Sequence, residues 1–173
     1  MNTDEIRLKM KLATDKIRDA SLRAWTLDVL EALPEKAWQR EASLKYHHPD
    51  EQGSGGNKLH ERRVARLADI ICDLYNLTPL DRDMVYTASL LHDACRHGLE
   101  AEEKYTVKDH ANLVRTFIEQ NCEESIWTNL VCTLIDTHMS RWGVPPYLPT
   151  IKLQDIVVLA DYIASQPDVE VRI

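Results

Sequence analysis

The stretch from Ala88 to Gly98 reads ASLLHDACRHG. An apolar run at helical spacing ends in His92-Asp93, with Arg96 and His97 one turn further on. An imidazole beside a carboxylate at the end of a hydrophobic face is a costly way to build a core, because each polar group taken out of water needs a partner. It is a sound way to build half of a metal site, since imidazole and carboxylate both suit divalent transition ions.

Working outward from this stretch, nearly every periodic segment is helical. Thr78-Pro79-Leu80-Asp81 is a start signal, with Thr as N-cap, Pro at N1 and an acid at N3, and the helix it opens reaches His92. Before it, a helix from about Leu59 to Tyr75 lines up Val64, Leu67, Ala68, Ile71 and Leu74 on one face. His47 to Lys58, HHPDEQGSGGNK, reads as a loop, and His47 and His48 as ordinary exposed loop residues, with a place at the pocket mouth as the alternative. The glycines in it are not a phosphate-binding loop, because no G-K-[ST] follows. Between Thr3 and Leu33, Ile6, Met10, Ala13, Ile17, Ala20, Ala24 and Leu27 form one helical stripe that Pro34 ends. The stripe serves either as a homodimer face or as packing onto its own domain. PEKAWQREASLKY reads as a shorter second helix. Downstream, Thr106 to Asp109 repeats the start logic and opens a helix through about Glu119. Another runs from about Glu124 to Ser140 and stops near Gly143 and Pro145, and Thr150 caps a last helix, Ile151 to Ser165, before Pro167. The chain is therefore expected to be all-α, with an N-terminal helical extension over 1–46 and a helical domain over 47–173.

Composition narrows the chemistry. The 173 residues suit one compact domain, and 44% hydrophobic residues suffice for a core. A formal charge of -7 argues against non-specific binding of duplex nucleic acid, which needs clustered Lys and Arg. A small anionic substrate stays open, because bound cations reverse the local sign. Cys72, Cys95, Cys122 and Cys132 make no C-x-x-C pair, so a zinc knuckle or a thioredoxin-type motif is not expected. The N-terminal residues have no apolar signal region and no run is long enough to span a bilayer, which reads as a cytoplasmic protein without a membrane partner.

Five segments set a histidine or aspartate where a helix face is otherwise apolar or where a helix ends: His60, His92-Asp93, His110, His138 and Asp161. Each lies on a different expected helix, and helices are stiff enough to hold ligands to the tolerance that coordination demands. Four histidines and two aspartates exceed what one ion needs. They suit one or two divalent transition metals, iron or manganese first, with zinc, cobalt or nickel as alternatives.

The order H…HD…H…H…D, with the contexts LHERRVARLA, LLHDACRHG and VLADYIAS, resembles the HD-domain superfamily of metal-dependent phosphohydrolases over about Leu59 to Ser165. It is most similar to the bimetallic members, which include cyclic-dinucleotide phosphodiesterases and symmetrical dinucleoside-tetraphosphate hydrolases. The resemblance implies an HD-type helical bundle. It implies that His60, His92, Asp93 and Asp161 hold one metal, and that His110 and His138 hold a second with Asp93 as bridge. It places Arg96 where the family often contacts substrate phosphate; the alternative is a surface ion pair with Glu100 or Glu103. His97 and Arg141 are further candidates for substrate contact, and Trp142 for stacking a base. Because ACRHG follows His92-Asp93, the longer signature of the cyclic-di-GMP branch is missing. The implied activity is hydrolysis of a phosphomonoester or phosphodiester, on a small phosphorylated substrate such as a nucleotide. Two alternatives stand beside it: a pyrophosphohydrolase of a dinucleoside polyphosphate or nucleoside triphosphate, and a catalytically silent nucleotide- or partner-binding module.

Overall fold

The computed structural model describes residues 2–43, 45–143 and 146–173. Its elements are α1 (Thr3–Thr14), α2 (Ala20–Ala32), α3 (Gly56–Tyr75), α4 (Pro79–Leu91), α5 (His110–Asn121), α6 (Ile126–Ile135) and α7 (Lys152–Ala164), with 3-10 turns at Glu35–Trp38, Pro49–Glu51 and Ser140–Trp142. No strand occurs among the described residues, so the chain is all-α as its periodicity requires. α3 packs along α4 and α7, α4 also touches α6 and α7, and α5 lies on α6. The hydrophobic cluster at the centre takes Val64, Ala68 and Ile71 from α3, Val85, Leu90 and Leu91 from α4, Val131 and Ile135 from α6, and Val157 and Ala160 from α7. Ile6, Met10, Ile17, Leu22, Trp25 and Trp38 belong to the same cluster, so the N-terminal elements share one core with the rest. Among the described residues no helix is long and apolar enough to cross a membrane.

Several expected boundaries move, each for a local reason. The single stripe over Thr3–Leu33 is two helices. Between them the Asp83 carboxylate accepts the backbone N–H groups of Arg18 and Asp19, both at 2.8 Å, and Asp19 caps α2 by accepting from Leu22 N. The break resets the helical phase. The buried face of α2 is Leu22, Trp25, Val29 and Leu30, whereas Ala20 and Ala24 are exposed. The second helix expected in PEKAWQREASLKY is only the turn Glu35–Trp38. Beyond it the chain forms a strap tied by backbone bonds from Ala42 N to Glu51 O (2.9 Å), Gly55 N to Gln39 O (3.2 Å) and Asn57 N to Arg40 O (3.0 Å).

α3 begins at Gly56, before the expected Leu59, and Gly55 precedes it in the left-handed region at φ 79. A Cβ on Gly56 would lie 1.7 Å from the carbonyl oxygen of Glu51, so the strap and the helix meet at a point only glycine allows. α5 is preceded by Asp109 at its N-cap rather than by Thr106, whose hydroxyl accepts from Arg96 instead. α6 ends at Ile135, and the next residues turn rather than continue to Ser140; Pro145, expected to help stop this helix, lies outside the described residues. Gln154 caps α7 from within, its side-chain oxygen accepting from Thr150 N at 2.8 Å.

Candidate metal centre

His60 projects from the first turns of α3, and Asp161 from the last turns of α7. His92 caps the end of α4 and Asp93 follows it, His110 opens α5, and His138 lies just past α6. The fold thus brings helix ends, rather than helix middles, to one place. Near one end of the cluster, Asp161 Oδ1 is 3.0 Å from His60 Nε2 and 3.6 Å from His92 Nε2. Near the other, Asp93 Oδ1 is 2.9 Å from His110 Nε2 and 3.5 Å from His138 Nε2. Asp93 Oδ2 is 3.8 Å from His92 Nε2, so Asp93 stands between the two groups. All four rings and Asp93 are buried, and Asp161 is partly so.

Local backbone chemistry sets the rings. His92 Nδ1 donates to Ser89 O (2.8 Å), His110 Nδ1 to Val107 O (2.7 Å) and His138 Nδ1 to Ile135 O (2.9 Å). Each is the carbonyl three residues back, available because the helix ends or begins there. With Nδ1 carrying the proton, each Nε2 presents a lone pair to the cluster. His110 Nε2 and His138 Nε2 are 3.0 Å apart, two acceptors facing one another. His92 Nε2 is buried with no hydrogen-bond partner among the described residues. Converging lone pairs beside a carboxylate call for a positive charge, and the donor set of imidazole and carboxylate fits a divalent transition ion. Two groups that could hold one are His60, His92 and Asp161, and His92, Asp93 and His138. A third combination, His47, Glu51 and His60, is close enough. In that combination the Glu51 oxygens already accept from Arg63 Nη1 (2.7 Å) and His47 Nδ1 (3.0 Å) and face His60 Nδ1 at 3.3 Å, which makes it a bracket of hydrogen bonds.

In the metal-free protein the charges shift as these contacts require. Burial acts to lower the His60 pKa, but hydrogen bonds and charge from Asp161 and Glu51 outweigh it and raise it to about 9. For Asp93, burial opposes the charged form, yet Arg96, His92, His110 and His138 hold the carboxyl well below its ordinary value. Asp161 is held low in the same way, against burial, by His60 and His92. Burial lowers His138 and His47.

The cluster forms the floor of a cavity of about 520 Å³, whose lining includes His47, Asp93, Arg96, Trp142, Asp161 and Tyr162. Arg96 Nη1 donates to Asp93 Oδ2 at 2.8 Å and Arg96 Nε to Thr106 Oγ1 at 3.1 Å. Arg96 is buried at the cavity floor and makes no surface pair with Glu100 or Glu103. Trp142 stacks on Tyr162 with ring centroids 5.9 Å apart and an interplanar angle of 4°.

Two sequence candidates stand elsewhere. His97 does not line the cavity: Nδ1 faces Glu103 O at 2.9 Å and Nε2 faces Glu41 O at 3.4 Å, so its buried ring ties two loops together. Arg141 is exposed and lies over the Trp142 ring, 5.3 Å from its centroid, outside the cavity lining. Conversely, His47, read from sequence as an exposed loop residue, is 5% exposed and faces the cavity. Glu51 was not singled out at all and is fully buried behind His60. The spacing of four between His47 and Glu51 was the available signal, together with Arg63 three residues after His60.

A family model, the HD domain, matches residues 59–166. The chain belongs to the HD-domain family. This is a superfamily of the metal-dependent hydrolase type, in keeping with the His/Asp groups just described. No curated protein and no solved structure matches the chain. The match begins at Leu59, so the strap that carries His47 and Glu51 lies outside it.

Proposed function

We propose that the protein is a metal-dependent phosphohydrolase that cleaves a phosphomonoester or phosphodiester bond of a nucleotide. The observation that carries this reading is the pair of imidazole lone pairs, His110 and His138 Nε2 at 3.0 Å, turned onto Asp93 beside the second group at Asp161. His60, His92, Asp93 and Asp161 would hold one ion, and His110 and His138 the other, with Asp93 shared. Divalent ions held there supply acidified water for attack on phosphorus and offset charge on the phosphate oxygens.

The chain's own residues do the rest. Asp93 and Asp161 give the floor its negative charge and keep the ligands aimed. Arg96, anchored to Asp93 and Thr106, turns a guanidinium toward the cavity, where it can grip a phosphate oxygen and fix its orientation. The side chains at the floor are themselves buried, where charge interactions are stronger than in water. Trp142 and Tyr162 offer the cavity a flat aromatic surface suited to a nucleobase. The cavity is within the size range of small-molecule sites, about 300–1,000 Å³.

Metal analysis of the purified protein, followed by phosphate or nucleoside release from a panel of nucleotides, tests the reading. Tight metal with turnover of monoesters or diesters is expected. Cleavage confined to dinucleoside polyphosphates or nucleoside triphosphates would assign the pyrophosphohydrolase alternative. Metal and nucleotide binding with no turnover would assign a binding module.

A further inference from the structure

His47 is fixed in a way that a spectator would not need to be. Its Nδ1 lies 3.0 Å from Glu51 Oε2, a carboxylate that can only accept, so Nδ1 carries the proton and Nε2 carries a lone pair. His47 lines the cavity, and its Nε2 lies at a long 3.5 Å from Arg96 Nη1. That nitrogen carries two hydrogens; it gives the shorter bond, 2.8 Å, to Asp93 and leaves His47 a weak one that a substrate donor can replace. The His47 ring also packs edge-on against His60, with centroids 4.2 Å apart, and is therefore held from two sides.

Position narrows what this acceptor can meet. His47 stands beside Arg96, one contact away from Asp93, and so at the phosphate end of the cavity. A phosphate diester or dianion has no proton to offer, and its oxygens would oppose a lone pair. The group next to a nucleotide's phosphate is the sugar, and in a nucleoside 3′-phosphate a ribose offers a vicinal 2′-hydroxyl donor that a deoxyribose lacks.

We propose that His47, contributed by the strap upstream of the matched family region, accepts a hydrogen bond from a substrate hydroxyl vicinal to the phosphate, and that the site therefore selects ribonucleoside 3′-phosphates over their 2′-deoxy counterparts. The inference rests on the nucleotide reading of the site and adds the sugar to it. Two O–H donors share this chemistry, the substrate hydroxyl and a water, and the comparison of sugars separates them.

The test measures equilibrium binding of adenosine 3′-phosphate and 2′-deoxyadenosine 3′-phosphate to the Mn2+-loaded full chain by calorimetry, with turnover followed in parallel. The wild type should favour the ribo ligand by about tenfold, as expected when removing one partner strands a buried polar atom. His47→Asn keeps a donor for Glu51 but removes the acceptor at the Nε2 position, and should bring the ratio to near one. His47→Gln places an amide oxygen near that position and should restore part of the preference. Metal content and melting temperature of each variant report whether it is folded and loaded.

A wild-type ratio near one, or no binding of either ligand, overturns the proposal. So does a His47→Asn variant that weakens both ligands equally, which would assign the lone pair to water. A ribo preference in binding that His47→Asn abolishes, without turnover of any substrate, supports the proposal while removing the hydrolase reading.

Discussion

Replacing Glu51 with glutamine removes one negative charge from behind His60 and changes almost nothing in volume. The wild-type carboxylate faces three donors: Arg63 Nη1 at 2.7 Å, His47 Nδ1 at 3.0 Å and His60 Nδ1 at 3.3 Å. A glutamine has one accepting oxygen. If that oxygen serves the two rings, its amide nitrogen meets the Arg63 guanidinium, donor against donor. If the oxygen serves Arg63, the amide nitrogen meets the rings and can turn the His60 proton to the other nitrogen, where the ligand lone pair should be.

Carboxylates that orient a ligating histidine are worth about 10- to 100-fold in metal affinity. Glu51→Gln should therefore weaken Mn2+ binding by that factor. Arg63 keeps its contact with Asp50 Oδ2 at 2.8 Å, so the loss of fold stability should stay at about 1–3 kcal/mol and leave the protein folded at room temperature. Calorimetric titration of the metal-free protein with Mn2+, with circular dichroism as the folding control, measures both. Asp50→Asn is the matched control, since Asp50 shares Arg63 but touches neither ring that faces Glu51. Wild-type affinity in a folded Glu51→Gln protein, or an equal loss in Asp50→Asn, would refute the reasoning.

Four other outcomes are expected. Asp93→Asn should abolish turnover and remove at least one metal per chain while preserving the far-ultraviolet helical signal; normal turnover would take Asp93 out of the site. Metal affinity should rise with pH up to about 9, because His60, raised to about 9 in the metal-free protein, must lose its proton to bind; proton release measured in two buffers of different ionisation enthalpy checks this. The metal-free protein should behave in the opposite sense at the alkaline end. Stability supplied by the raised His60 is fully present below the ordinary histidine value and is lost as pH climbs through about 9, which a series of melting temperatures would reveal. Trp142→Ala should weaken nucleotide binding about 5- to 150-fold with metal content unchanged, in line with the worth of one aromatic–base stack.

The helices that carry the ligands were legible because their signals are local. The 3.6-residue stripe marks α3, Thr78-Pro79 starts α4, and His92 reads as the end of an apolar run. The order of His60, His92-Asp93, His110, His138 and Asp161 was enough to expect convergence, because stiff elements can meet only in a few ways. The break after α1 was not legible. It is enforced by Asp83, which is far along the chain and accepts two N–H groups that an unbroken helix would have spent on itself. His47 was read first as an exposed loop residue and only second as one at the pocket mouth, and Glu51 was missed, for a related reason. They sit on a strap with no periodicity, and what gives them meaning is Arg63, His60 and Arg96, all on other elements. His97 misled in the opposite direction, since adjacency to Arg96 in sequence says nothing of a ring that two carbonyls turn away.

The strap also makes distant residues matter to the centre. Gly55 packs so tightly on α1 that a Cβ there would lie 2.3 Å from Ile6 Cδ1, and Gly56 sits closer still to Glu51, whose carboxylate backs His60. A line of rigid contacts therefore runs from the first helix to the ligand histidine. Substitutions on the inner face of α1, remote from any reacting atom, will register as slack in His60. A segment excised to the family boundary at Leu59 would keep every ligand yet lose the brace that holds one of them to its bearing.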